Sequence, residues 1–178
     1  MKITLFIPCF VDQLFPSVGI SVVRIFEKLG HTVEFKEAIF CCGQPLFNGG
    51  YWEETRGIAT RVLQALVGSD PVVVPSGSCA AMVKNFYPEL FGNTPQAEAA
   101  IQLSHRVLEF SSFLVDQLGV TELGSRFPAK VTFQTKSGPS RLASTSPALI
   151  SSPTKQPKPG TNRVYVETWF SPQAPTQW

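Results

Sequence analysis

The sequence predicts an α/β domain, a parallel sheet flanked by helices, followed by a largely disordered C-terminal tail. Three observations carry this expectation. Short apolar runs alternate along the chain with stretches of helical periodicity, the order that builds parallel strands joined by helical crossovers. Val72-Val73-Val74 is a continuous apolar run, as a strand covered on both faces requires. After residue 136 the composition changes: residues 137–178 hold seven Ser, seven Pro and five Thr in 42 residues, with Glu167 as the only acid. Apart from a short run at 163–170, such a segment cannot bury enough apolar surface to offset its ordering entropy. The domain is therefore placed at residues 1–136 and the Ser/Pro/Thr-rich tail at 137–178.

Residues 2–7 read as the first buried strand. Leu14, Val18, Val22, Ile25 and Leu29 then recur at spacings of four, four, three and four, the apolar stripe of a helix. Gly30 closes that helix as a left-handed cap. Residues 32–35 are rich in β-formers and resume the sheet. A Gly-rich loop leads to a helix beginning near Trp52, with Ile58, Val62 and Leu66 on one face, that ends by Gly68. Asp70 and Pro71 punctuate before the strand at 72–74, and Ser76-Gly77-Ser78 turns the chain into a helix running toward Leu90. Leu103, Val107, Phe110, Leu114 and Leu118 mark one long helix over about residues 96–118, and residues 130–135 read as the last strand.

A chain of 178 residues with 43% hydrophobic and 16% charged positions supports one well-buried core. The formal net charge is only +2, and Arg141, Lys155, Lys158 and Arg163 are scattered among prolines, so no nucleic-acid footprint stands out. No apolar stretch approaches the roughly 20 residues that cross a bilayer, because Arg24, Glu27, Lys28, Glu53 and Glu54 interrupt the candidates. The opening MKITLFIPCF has neither the apolar core nor the cleavage site of an export signal. A soluble, cytoplasmic protein with reduced cysteines is the expectation.

All four cysteines fall beyond carboxyl ends of predicted strands: Cys9 after the first, Cys41 and Cys42 after the second, Cys79 after the third. In an open parallel sheet those loops share one edge, where ligands commonly bind. Gly43 and Asn48-Gly49-Gly50 surround the centre of the C-x31-C-C-x36-C pattern and let the backbone approach a bulky ligand. Cys79 stands near a helix start, where the dipole and unpaired N–H groups favour the thiolate. An isolated cysteine is most simply a small buried hydrophobe. Four of them in such loops, with none expected inside a helix or strand, point to a ligand set. Zinc is a minor alternative, since structural zinc draws thiolates from C-x2-C knuckles and adjacent cysteines close a tetrahedral site poorly. An iron-sulfur cluster can take adjacent thiolates on different irons and explains more of the pattern.

Other chemistry is thin. His31 at a helix-to-strand junction and His105 on a helical face read as surface or capping residues. Glu53 and Glu54 open a helix, where acidic side chains favour the dipole. The sequence contains neither a phosphate-cradling glycine loop nor a nucleophile elbow. Ser76-Gly77-Ser78 reads as a turn beside Cys79 before it reads as an anion site. No catalytic residue is assigned.

Three motifs then stand together: I-P-C-F-V-D-Q at 7–13, C-C-G-Q-P-L-F-N-G-G at 41–50 and V-V-V-P-S-G-S-C-A-A-M at 72–82. In order and spacing, over about residues 1–135, they resemble the cysteine-rich (CCG) domain family, and in particular its iron-sulfur subunits of lactate or glycolate oxidation. Heterodisulfide reductase contains a relative among its components. The resemblance implies an iron-sulfur cluster of the 4Fe-4S type held by Cys9, Cys41, Cys42 and Cys79. It also implies electron transfer during oxidation of L-lactate to pyruvate, together with other subunits of a lactate or glycolate oxidation complex. The chain departs from the family pattern twice. Ser76 stands where the fullest motif has a further cysteine. The likeness also stops near residues 133–135, where a second cysteine-rich repeat would follow, so residues 1–136 are expected to hold the first repeat and the start of the second. A shortened or frame-disrupted member is the expectation, with self-association through the face the second repeat would cover. The rival function is an inactive fragment or a non-redox protein-interaction module.

Overall fold

The computed structural model describes residues 1–39 and 41–124, together with the backbone of two short strands, Val131–Thr132 and Val164–Tyr165. The chain forms two compact units, Met1–Phe110 and Ser111–Trp178. Apart from Val164–Tyr165, the tail expected at 137–178 lies outside the described residues.

The first unit is built on β1 (Lys2–Leu5), β2 (Thr32–Phe35), β3 (Val72–Val74) and β4 (Val107–Glu109), all parallel and in the order β2-β1-β3-β4. Leu5 lies opposite Phe35 on one side and Val73 on the other, and Val72 opposite Val107. Helices α1 (Cys9–Leu14) and α2 (Pro16–Lys28) connect β1 to β2; α3 (Gln44–Asn48) and α4 (Trp52–Ala65) connect β2 to β3. One helical run then leads from β3 to the last crossover: α5 (Gly77–Ala81), a π-helical turn (Met82–Phe86) and α6 (Tyr87–Phe91), followed by α7 (Ala97–Arg106) and β4. The fold class read from the sequence is the observed one, a parallel sheet with helices packed on it.

Side chains alternate across the strands, so the sheet has two buried faces. Phe6, Val72, Val74 and Val107 join residues of α4, α6 and α7 in one contiguous apolar cluster. Ile3, Leu5, Ile7 and Val73 point the other way, where Gly19 brings α2 against Ile7: a Cβ at Gly19 would stand 3.3 Å from Ile7 Cδ1. Each valine of β3 is 0% exposed, and burying such a side chain contributes about 1.5–3 kcal/mol over leaving it in water.

Helix boundaries follow local chemistry. The periodicity of 14–29 reads as one helix, but the chain forms two, because Phe15 before Pro16 is displaced from helical geometry (φ −138°, ψ 54°) and Pro16 takes the first position of α2. The buried face of α2 is Val22 and Phe26, while Leu14 and Val18 of the expected stripe are exposed. Gly30 does close α2: at φ +80° it lets its own N–H reach the Glu27 carbonyl and the His31 N–H reach the Phe26 carbonyl. The His31 ring meets Phe26 edge-on, the apolar contact that accompanies such caps, so this histidine is structural.

The long helix expected over 96–118 is broken. It ends at Arg106, whose guanidinium donates to the carbonyls of Leu66 and Asp70, and Val107 turns extended (φ −82°, ψ 126°) to pair with Val72. Val107 is fully buried, as an apolar helix position would also be, which is why spacing alone misassigned it; pairing with the open edge of β3 decides the outcome. β4 is thus the fourth strand of the main sheet.

Following α8 (Phe110–Ser112), the second unit contains a π-helical turn (Phe113–Gln117), whose end is closed by Leu118 N–H on the Phe113 carbonyl and Val120 N–H on that of Leu114. The strand expected at 130–135 is present in part as β5 (Val131–Thr132). It pairs in parallel with β6 (Val164–Tyr165) in a two-stranded sheet of its own. Among the described residues no helix is long and apolar enough to cross a membrane.

Candidate metal centre

Three strand-to-helix connections deliver the cysteines to the carboxyl edge of the sheet. Pro8 caps α1, whose first residue is Cys9. The connection after β2 carries Cys41 and Cys42, and Ser76 precedes α5, whose third residue is Cys79. The expectation that no cysteine lies inside a helix fails at Cys9 and Cys79, because both helices start almost as soon as their strands end. β1 and β3 are the neighbours from which the sheet winds in opposite directions. Cys9 and Cys79 therefore flank the crevice at which open α/β sheets bind ligands.

All four cysteines are free thiols; Cys42 and Cys79 are buried, Cys9 and Cys41 half-buried. Their electrostatics couple them to one another. The Cys42 thiol is pushed far up, first by its hydrogen bond to Cys79, then by burial and by the charge of Cys79. Cys79 is pulled down to about 7, first by that bond from Cys42 and then, against burial, by bonds from the Ser76 and Ser78 hydroxyls. Of the two, Cys79 is the thiol pulled toward ionisation and Cys42 the one pushed away from it. Burial raises Cys9 as well, with Cys41 and then Cys79 adding to it. The downward pull expected at Cys79 is present, but its cause is side-chain donors: Ser76 does not cap α5, and its hydroxyl faces the sulfur and lies 3.4 Å from that of Ser78.

The loop around the paired cysteines is held by backbone. Gly43 adopts φ +83°, and its N–H donates to Cys41 Sγ at 3.4 Å. From below, the Tyr87 hydroxyl donates to the Cys42 carbonyl at 3.0 Å. The Tyr87 hydroxyl resists ionisation strongly, because of burial first and then the neighbouring Cys42, Cys41 and Cys79. Sequence reasoning misses Tyr87, although a tyrosine on the apolar stripe of Val83, Leu90 and Phe91 signals a buried hydroxyl in need of a partner. The acids at the start of α4 behave as expected of a helix start, with Glu53 pairing to Arg56. An open hollow of about 420 Å³ lined by Gly68, Ser69, Glu98, Ile101, Gln102, His105 and Arg106 lies at the opposite edge of the sheet, near the amino ends of β3 and β4.

Among the described residues no group of three or more His, Cys, Asp or Glu side chains is gathered tightly enough to hold a single metal ion. The fit of a larger group therefore rests on the donor set: four soft thiols, one of them pulled toward ionisation, on loops with glycine and backbone N–H groups beside the sulfur. A cluster that spreads its ligands over several irons accepts such a set, adjacent thiolates included.

Comparison with known proteins agrees with this chemistry. Residues 3–84 match the family described as the cysteine-rich domain, CCG. Among curated proteins it is 45% identical over 134 residues to Lactate utilization protein A of Oceanobacillus iheyensis, covering 75% of this chain and 54% of that protein. It is 41% identical over 143 residues to the protein of that name from Geobacillus kaustophilus, covering 80% and 59%. The corresponding protein of Macrococcus caseolyticus is 41% identical over 153 residues, covering 84% and 62%. The chain thus spans a little over half the length of the curated relatives it matches. No solved structure matches.

Proposed function

We propose that this chain is an iron-sulfur subunit that carries electrons in the oxidation of L-lactate, or of glycolate, with Cys9, Cys41, Cys42 and Cys79 as ligands of a 4Fe-4S cluster. It works in the cytoplasm with partner subunits that perform the chemistry on the substrate. The observation that carries this reading is the convergence of four mutually interacting thiols from three connections onto one edge of the sheet. The name borne by the relatives supports the substrate class. When bound, the cluster supplies one-electron chemistry. The chain's own residues do the rest. Ser76, Ser78 and Cys42 hold Cys79 ready as a thiolate, the Gly43 N–H donates to the Cys41 sulfur, and burial of Cys42 and Cys79 keeps water from that side. Half-buried Cys9 and Cys41 leave the opposite side open to an electron-transfer partner.

The test is iron and acid-labile sulfide per chain after strictly anaerobic purification, beside a variant carrying both Cys41→Ser and Cys42→Ser. Stoichiometric iron and sulfide that vanish in the variant are expected. Their absence after reconstitution would overturn the reading. A second reading, a non-redox interaction module, is favoured by one observation: Phe10, Leu14, Phe15 and Val18 of α1, α2 and the bend between them are exposed by 40% or more. Under that reading a colourless protein self-associates through this face, and sedimentation of Phe10→Ser combined with Leu14→Ser, compared with the parent, reads it directly.

A further inference from the structure

Tyr87 is 0% exposed and stands 45 residues from the loop it touches. Its ring packs edge-on against Phe91, and its hydroxyl ends on the Cys42 carbonyl at 3.0 Å. A buried hydroxyl without a partner is costly, and so is a buried carbonyl. The bond therefore ties the peptide between Cys42 and Gly43 to the helical run behind it.

The helix reaches this point only because it is irregular. Over Met82–Phe86 it widens to a π-helical turn, and the Tyr87 N–H closes on the Met82 carbonyl five residues back. Pro88 follows, with no N–H to give to the carbonyl four residues earlier, so the run widens where a regular hydrogen bond is lost in any case. An added residue in one turn rotates everything after it by about 100° relative to an unbroken α-helix. That rotation swings Tyr87 under the Cys41-Cys42 loop.

We propose that Tyr87 is a positioning residue for the cysteine site: carried there by the π-helical turn, its hydroxyl fixes the backbone of the Cys41-Cys42 loop and with it the direction of both thiols. In its role toward the cluster this rests on the reading given under Proposed function; in its role toward the loop it does not. The bonded peptide leaves Cys42 directly and Cys41 stands one residue before it, so one hydrogen bond restrains the first donor at its own carbonyl and the second through the adjoining peptide.

The experiment uses the full chain as Tyr87→Phe, which removes only the hydroxyl, and Phe91→Leu, which loosens the same core without touching the bond. Both are reconstituted anaerobically with ferrous iron and sulfide. Tyr87→Phe is expected to lose iron to a chelator about tenfold faster than the parent and to show a shifted electron paramagnetic resonance spectrum in its reduced form, while Phe91→Leu keeps the parental spectrum. Equal loss rates and identical spectra in Tyr87→Phe and parent would overturn the inference, and so would equal effects in the two variants. If the parent takes up no iron, the cluster reading falls, and the metal-free chain still decides about Tyr87. Alkylation of Cys42 by iodoacetamide, located by peptide mapping, must then be accelerated in Tyr87→Phe beyond its rate in Phe91→Leu. Equal alkylation rates would overturn the inference there too.

Discussion

Gly43 shows how much of the site rests on a single side chain that is missing. Its backbone lies in the left-handed region at φ +83°, and a Cβ there would stand 3.1 Å from Cγ2 of Thr55, itself fully buried in α4. Gly30 shares the backbone strain at φ +80° but has open space around the same position. The two separate strain from collision. Gly30→Ala is expected to cost about 1–2 kcal/mol, the left-handed penalty alone, and Gly43→Ala more than that, because Thr55 or the loop must also shift. Urea midpoints at unchanged m-value check the order. If the two variants lose equal stability, the contact with Thr55 has no energetic weight.

Among the elements, the β1–β2 edge carries the charge pattern with the plainest pH signature. Glu34 on β2 accepts from Lys36 and pairs with Lys2 of β1 at 2.9 Å, and Lys2 also lies 3.6 Å from Asp70. Lys36 first and Lys2 second hold the Glu34 carboxyl below its ordinary range. A carboxyl lowered on folding stabilises above its unfolded value and loses that contribution as pH falls through its folded one. Denaturation midpoints are therefore expected to drop from roughly pH 5 downward, and Glu34→Gln to flatten the drop; an unchanged slope would remove Glu34 from the account. The elements also show what a sequence reveals. The strands at 2–5, 32–35 and 72–74 were legible because buried parallel strands are short apolar or β-branched runs with turn residues at their ends. All four cysteines were placed at the correct edge for the same reason. The break at Val107 was not legible, since Leu103, Val107 and Phe110 satisfy helical spacing whether or not the helix continues. Only the vacant edge of β3 makes the strand. Tyr87 and the serine donors to Cys79 stayed hidden because spacing identifies faces, and hydrogen bonds between distant loops have no spacing.

At the scale of the whole molecule, the ligands proposed at positions 9, 41, 42 and 79 would close loops of 31 and 36 residues between them. A bound group that joins them binds the folded chain and not the unfolded one, and so stabilises it by mass action. Loading is expected to raise the melting temperature by about 5–10 °C under anaerobic conditions. Chelation should reverse the rise, and Cys41→Ser with Cys42→Ser should abolish it; a loaded chain that melts with the stripped one would contradict the joining of these loops. The strand order adds a matter of timing. β1 and β2 are joined by the first crossover, and β3, which lies on the other side of β1, comes later in the chain. A chain still emerging from the ribosome thus owns three thiols and one flank of the crevice before the last thiol has been synthesised. If these thiols hold the proposed cluster, iron offered to that nascent chain would meet no finished receptacle, and delivery would wait for translation to pass β3.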